Sequence, residues 1–109
     1  MLYAVLFEDA ADAPADLRRQ YMAAHLDFLT THSDQILAAG PLSEGEAPAG
    51  GLWLVEADKP TAVEALIHAD PFWPTGLRAS VRVLAWTRVF ANGQRLIDPQ
   101  PLDAQPPTP

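Results

Sequence analysis

The chain opens on an apolar run, Leu2-Tyr3-Ala4-Val5-Leu6-Phe7. It is rich in strand formers and apolar on both alternating sides, which predicts a first strand with little of either face given to water. Small and acidic residues follow as far as Pro14. The fixed φ and missing N–H of proline suit the first turn of a helix, and Asp16 adds negative charge near its positive end. From there to about His32 there is no Gly or Pro, and Leu17, Tyr21, Ala24 and Phe28 recur at helical spacing. A helix that buries one face is predicted. Gln35 to Ser43 predicts a second strand in which Gly40 and Pro41 demand a bend, a bulge or an edge position. Glu44 to Gly51, with Gly45, Pro48, Gly50 and Gly51, reads as a hairpin loop, and Leu52 to Glu56 as a third strand. Pro60 opens a second helix with Val63, Leu66 and Ile67 on one face. Asp70 to Gly76 reads as a compact aromatic turn, because Pro71 and Pro74 exclude a long helix there. Arg78 to Phe90 alternates throughout and predicts one long fourth strand.

Strand, helix, strand, strand, helix, strand is the order of a ferredoxin-like α+β domain: a four-stranded antiparallel sheet with both helices on one face. Such a sheet leaves its second face to water, yet strands one and four are apolar on both sides. An uncovered patch of Tyr3, Val5, Phe7 and one row of strand four exceeds what monomers tolerate, so two sheets packed face to face in a homodimer are expected. The competing cover is the chain's own end. The domain is expected over residues 1–93 and a Pro-rich tail over 94–109, since Pro99, Pro101, Pro106, Pro107 and Pro109 leave it few donors and few apolar groups.

Composition narrows the chemistry. At 109 residues there is room for one core. A formal charge of −7 repels phosphate backbones and anionic lipid, so nucleic acid and membrane surfaces are not expected partners. Without cysteine there is no disulfide framework, thiolate metal site or thiol nucleophile. The opening apolar run is short, lacks a basic leader and meets Glu8 and Asp9, and no stretch approaches the ~18 apolar residues of a membrane span. A soluble cytoplasmic protein is expected. Neither a metal-ligand spacing nor a phosphate-cradling glycine loop occurs, because Gly50 and Gly51 precede a strand.

At about 100° per residue, the first helix carries Arg18, His25 and His32 in a stripe inside its apolar arc, each seven residues from the next. A histidine held there exchanges a proton near neutral pH and requires a partner for at least one ring nitrogen. The ordinary structural reading is a bond from His25 to a backbone carbonyl; His32 is explained by the helix dipole, and Arg18 by snorkelling. Asp70 is the expected partner of His25, although an aspartate before proline also starts turns by bonding its own backbone. His68 has no such context and reads as surface.

Arg18 and His25 with Leu26, then Gly40-Pro41-Leu42, Gly51, Asp70-Pro71-Phe72, Gly76-Leu77 and Trp86 occur in an order and spacing that resembles the YCII (YciI-like) family over about residues 1–90. The resemblance implies a dimeric α+β barrel built from two ferredoxin-like sheets. It also implies a site in which His25 pairs with Asp70, the segment after Gly40 and Pro41 lines the pocket, and Ser43 matches a position where serine often occurs. One branch of the family eliminates chloride from a chlorinated hydroxyquinone. The acidic, Pro-rich extension after Asn92 departs from the family pattern.

The expected function is a cofactor-independent lyase or isomerase acting on a small cyclic or aromatic molecule. Asp70 fixes the tautomer of His25, whose other nitrogen moves a proton. Arg18 orients an anionic group of the substrate, and Tyr21, Phe72 and Trp73 supply apolar walls. The competing readings are a ligand-binding or regulatory module that keeps the pocket without chemistry, and a cofactor-free monooxygenase on the same barrel.

Overall fold

A computed structural model describes residues 1–98 of the chain. Four strands, β1 (Leu2–Asp9), β2 (Ile36–Glu44), β3 (Ala47–Glu56) and β4 (Arg78–Ala85), form an antiparallel sheet in the order β2-β3-β1-β4. Helices α1 (Leu17–Thr31) and α2 (Pro60–Ala69) connect β1 to β2 and β3 to β4. This is the ferredoxin-like α+β arrangement that the element order implies.

Tyr3, Val5 and Phe7 pair with Val55, Trp53 and Gly51 across one ladder and with Ala85, Val83 and Val81 across the other. Paired residues share a face. Tyr3, Val5, Phe7, Trp53 and Val55 join Phe28, Val63, Leu66 and Ile67 in one buried cluster, so this row is the one beneath the helices. The expectation that Tyr3, Val5 and Phe7 form an uncovered patch is therefore reversed. A run apolar on both sides does not say which side faces in; the partly buried row on the far face is Ala4, Leu6, Leu52 and Leu54, with Leu84 beside it.

Two boundaries differ from the sequence pattern. The supposed loop over 44–51 is a two-residue turn at Gly45 and Glu46, after which β3 has begun. Pro48 is tolerated because β1 pairs with β3 only as far as Gly51, so no ladder N–H is missing on that side. Gly50 is required, since at φ 124° a Cβ there would lie 1.8 Å from the Phe7 carbonyl oxygen. The fourth strand stops at Ala85, where Trp86 N–H reaches the Leu2 carbonyl and β1 has no further residue to offer. Beyond it lies a small hairpin of β5 (Phe90–Ala91) and β6 (Gln94–Arg95). Its turn is Asn92-Gly93 with φ 54° and 75°, the positive angles a tight two-residue hairpin needs. Of the Pro-rich tail, residues 99–109 lie outside the described residues. Among the described residues no helix is long and apolar enough to cross a membrane.

Candidate active site

Helix α1 buries Leu17, His25 and Phe28, with Arg18, Met22, Leu29 and His32 partly buried beside them. Ala24 and Tyr21 are both exposed. The packed face is thus rotated toward the stripe of Arg18, His25 and His32 that the helical wheel singles out. His32 ends its helix with its ring against Phe28, centroids 4.7 Å apart, and His68 rests against Trp73.

Asp70 caps the end of α2 in extended backbone, φ −66° and ψ 131°, as the residue before a proline is constrained to do. That geometry sends its side chain under α1, where it is 1% exposed. Oδ1 lies 2.8 Å from Nδ1 of His25 and also accepts the Phe72 N–H at 3.1 Å. The turn-starting and histidine-pairing readings of Asp70 are both realised, on the same oxygen. Oδ2 accepts a 2.7 Å bond from Arg78, whose side chain is 8% exposed. Burial, the largest single influence, pushes the Asp70 pKa up. The His25 hydrogen bond, the Arg78 charge and the Phe72 N–H outweigh it and hold the carboxyl below its ordinary value.

An ionised Asp70 only accepts hydrogen bonds, so Nδ1 of His25 carries the proton and donates it. The ring packs 4.8 Å from Phe72 and 6.4 Å from Trp53, centroid to centroid. Nε2 has no partner among the described residues. Because no buried side-chain nitrogen there lacks one, Nε2 is open to the space in front of it. That space is a cavity of about 110 Å³ bounded by His25, Arg18, Arg78, Trp53, Phe72 and the Ala39-Gly40-Pro41 segment of β2. It is large enough for several waters or one small ring. Arg18 reaches it while held by both oxygens of Asp9, at 2.7 and 3.2 Å, and by the Gly50 carbonyl at 3.3 Å.

Of the residues singled out from the sequence, the fold brings His25, Asp70, Arg18 and Phe72 together. Tyr21 and Trp73 are each 37% exposed and stand outside the cavity wall, Tyr21 reaching Phe72 from behind at 6.3 Å and Trp73 turned toward His68. Ser43 is exposed on β2 past a bulge, two positions beyond the last cavity residue of that strand. Arg78 went unmarked by the sequence pattern. Strict alternation from Val81 and Val83 assigns it to the far face, but the ladder slips between Glu8 and Asp9 so that Arg78, not Ala79, opposes Asp9. A bulge of this kind re-aims a side chain, here onto the helix side. Among the described residues no cluster of three or more His, Cys, Asp or Glu side chains is arranged to hold a metal.

No curated protein matches the chain. Among solved structures it is similar to the 5-chloro-2-hydroxyhydroquinone dehydrochlorinase (TftG) from Burkholderia phenoliruptrix AC1100, in a complex with 2,5-dihydroxybenzoquinone. The TM-score is 0.66 at 27% sequence identity, over 80% of this chain and 94% of that one. The model of the YCII-related domain matches residues 1–87, which takes in every strand of the sheet, both helices and all the residues of the cavity, and the chain belongs to the YCII family.

Proposed function

We propose that this chain is a cytoplasmic, cofactor-independent enzyme that moves a proton on a small cyclic or aromatic substrate through the His25–Asp70 pair. The observation that carries the reading is the 2.8 Å bond from Nδ1 of His25 to a buried carboxylate, which leaves Nε2 facing the cavity. Neutral Nε2 accepts a proton from a substrate O–H or C–H. In an elimination, the electron pair so released forms the new π bond and a leaving group such as chloride departs with its own pair, the net loss being HX. Asp70 stabilises the imidazolium that forms. Arg18 meets the negative charge that develops on substrate oxygen. The similar dehydrochlorinase, named for a chlorinated hydroxyhydroquinone, favours elimination among the reactions this pair can run.

The test is chloride release and product absorbance with 5-chloro-2-hydroxyhydroquinone and related halogenated quinols. Turnover by the native chain that falls by about 10²-fold or more in His25→Asn supports the reading. Turnover unchanged in a folded His25→Asn variant rejects it. Thermal stabilisation by 2,5-dihydroxybenzoquinone with no product from any of these quinols assigns the pocket to binding alone.

The assembly proposed for this activity is a homodimer with sheets packed face to face. The far face carries Leu6 and Leu52 as one directly opposed pair and Ala4 between Leu54 and Leu84. Arg82 stands beside Leu6 at the β4 edge of that face, and a second copy is the cover that matches an apolar row with no helix over it. Leu54→Lys places a charge in that row, and sedimentation then shows a monomer where the native chain shows a dimer; a native chain that sediments as a monomer at all concentrations refutes the assembly.

A further inference from the structure

The proton-transfer reading uses one oxygen of Asp70 and leaves the other unexplained. Oδ2 is taken by Arg78 at 2.7 Å, with both side chains nearly removed from solvent. The guanidinium carbon lies 3.8 Å from the ring centre of Phe7, 5.4 Å from that of Trp53 and 5.6 Å from that of Phe72. Three aromatic faces thus hold one cation in place. Desolvating a guanidinium is costly, and a hydrophobic residue at the start of an edge strand would fill the same space without that cost. The β1–β4 bulge is what turns this side chain inward. An expensive group aimed by a local irregularity onto the back of the dyad calls for a role there.

We propose that Arg78 is a positioning residue for the His25–Asp70 pair, sharing the carboxylate so that His25 is oriented by it without being fixed as an imidazolium. The inference rests on the proton-transfer reading above. A lone buried carboxylate 2.8 Å from an imidazole favours its cation and so opposes a free Nε2 ready to accept a proton. A carboxylate already neutralised by a guanidinium keeps its geometry and gives up much of that pull. Phe72 N–H on Oδ1 and Arg78 on Oδ2 also prevent the carboxylate from rotating, so Nδ1 meets one oxygen in one direction. The charges facing His25 are Asp70 from the end of α2, Arg78 from β4 and Arg18 from its own helix. β3 presents Gly51 and the Trp53 ring, and β2 presents Ala39, Gly40 and Pro41, so among the described residues of the cavity no further carboxylate substitutes for the missing balance. Arg18 has its own partner in Asp9.

The experiment is a ring-nitrogen NMR titration of His25 in the full chain without substrate, for the native protein, Arg78→Gln and Arg78→Lys. Gln still donates to Oδ2 but carries no charge, whereas Lys keeps the charge and loses the planar fork. Arg78→Gln is expected to move the His25 midpoint upward by about one pH unit, a tenfold gain in proton affinity, and Arg78→Lys by much less. In the native protein the neutral ring is expected to carry its proton on Nδ1. A midpoint that does not rise in Arg78→Gln, an equal rise in both variants, or a neutral ring in the native protein that carries its proton on Nε2 overturns the proposal. Loss of folding in both variants also overturns it, making Arg78 a structural residue. Because no substrate is present, the titration can succeed while every turnover assay fails, and the two readings are separated.

Discussion

Asp70→Asn is the most informative single change, because it keeps the shape of a side chain 1% exposed and removes only its charge. The native carboxylate accepts three hydrogen bonds, from His25, Phe72 N–H and Arg78. An amide has one oxygen to offer. If that oxygen occupies the Oδ1 position, it satisfies Phe72 and His25, and its NH₂ confronts the Arg78 donors. If it is turned to Arg78, the NH₂ confronts Phe72 N–H and forces His25 into the opposite tautomer, with the proton on Nε2. Either orientation leaves a buried donor unmet and the guanidinium without a counter-charge. Breaking a buried pair from one side costs about 3–5 kcal/mol. For a domain of this size that corresponds to a fall in Tm of at least about 12–24 °C. Native and variant chains are compared by calorimetry at pH 7 and at one matched protein concentration, since self-association would shift both values. A fall below about 4 °C, under ~1 kcal/mol on the same scale, would show that the three bonds do not hold the fold as argued.

The Asp70 carboxyl is held below its ordinary pKa, so its contribution to stability is complete above the unfolded-state value near about 4 and is lost as pH falls through the folded one; acid titration of the native Tm should show this loss, and Asp70→Asn should show a shallower decline. Gly50→Ala places a Cβ 1.8 Å from the Phe7 oxygen at a φ that L residues rarely adopt, so a loss of at least about 1–3 kcal/mol is expected from the backbone alone, read as a lower urea midpoint. Trp53→Ala empties the space between the sheet and α1, with an expected loss of about 3–5 kcal/mol by urea unfolding. Arg18→Met, by contrast, should leave Tm within about 4 °C, because its partnership with Asp9 lies only part-buried at the cavity edge and is worth about 1 kcal/mol, while raising KM for an anionic quinol in the chloride-release assay.

The sequence carried the order of elements well because each is marked by local chemistry: Pro14 and Pro60 near the helix starts, the apolar runs of β1 and β3, and the Gly40-Pro41 interruption that only an edge strand such as β2 accepts. It also carried the His25–Asp70 pairing, since a histidine at the centre of an apolar arc needs an acceptor and Asp70 is placed by the proline after it. What it could not carry depends on pairing between strands. Whether Tyr3, Val5 and Phe7 or Ala4 and Leu6 face the helices is decided by which row finds Trp53 and Val55, and a strand apolar on both sides is silent on that choice. The length of β4 is set by where β1 ends. The same dependence hid Arg78, because a one-residue slip against Asp9 inverts the alternation that would place it.

The distinction between a structural and a reactive histidine rests on the ring's second nitrogen. A histidine kept only for packing would be expected to have both nitrogens satisfied or to lie where solvent satisfies them freely, because a buried unpaired donor or acceptor costs about 1–3 kcal/mol. His25 is 8% exposed and bonded at Nδ1 to a carboxylate that is itself fixed by two further donors. Its Nε2 opens instead onto a cavity with apolar rings on its walls and two guanidinium groups at its edges. Packing alone does not ask for that combination, since apolar side chains at all three positions would fill the same space without burying a charged pair. His25→Phe therefore separates the two accounts: if the dyad exists for stability, this variant, with the Asp70–Arg78 pair intact, should be less stable than the native chain by more than its lost hydrogen bond, about 1.5–3 kcal/mol. If it exists for chemistry, stability should hold within that limit while turnover of a quinol substrate disappears.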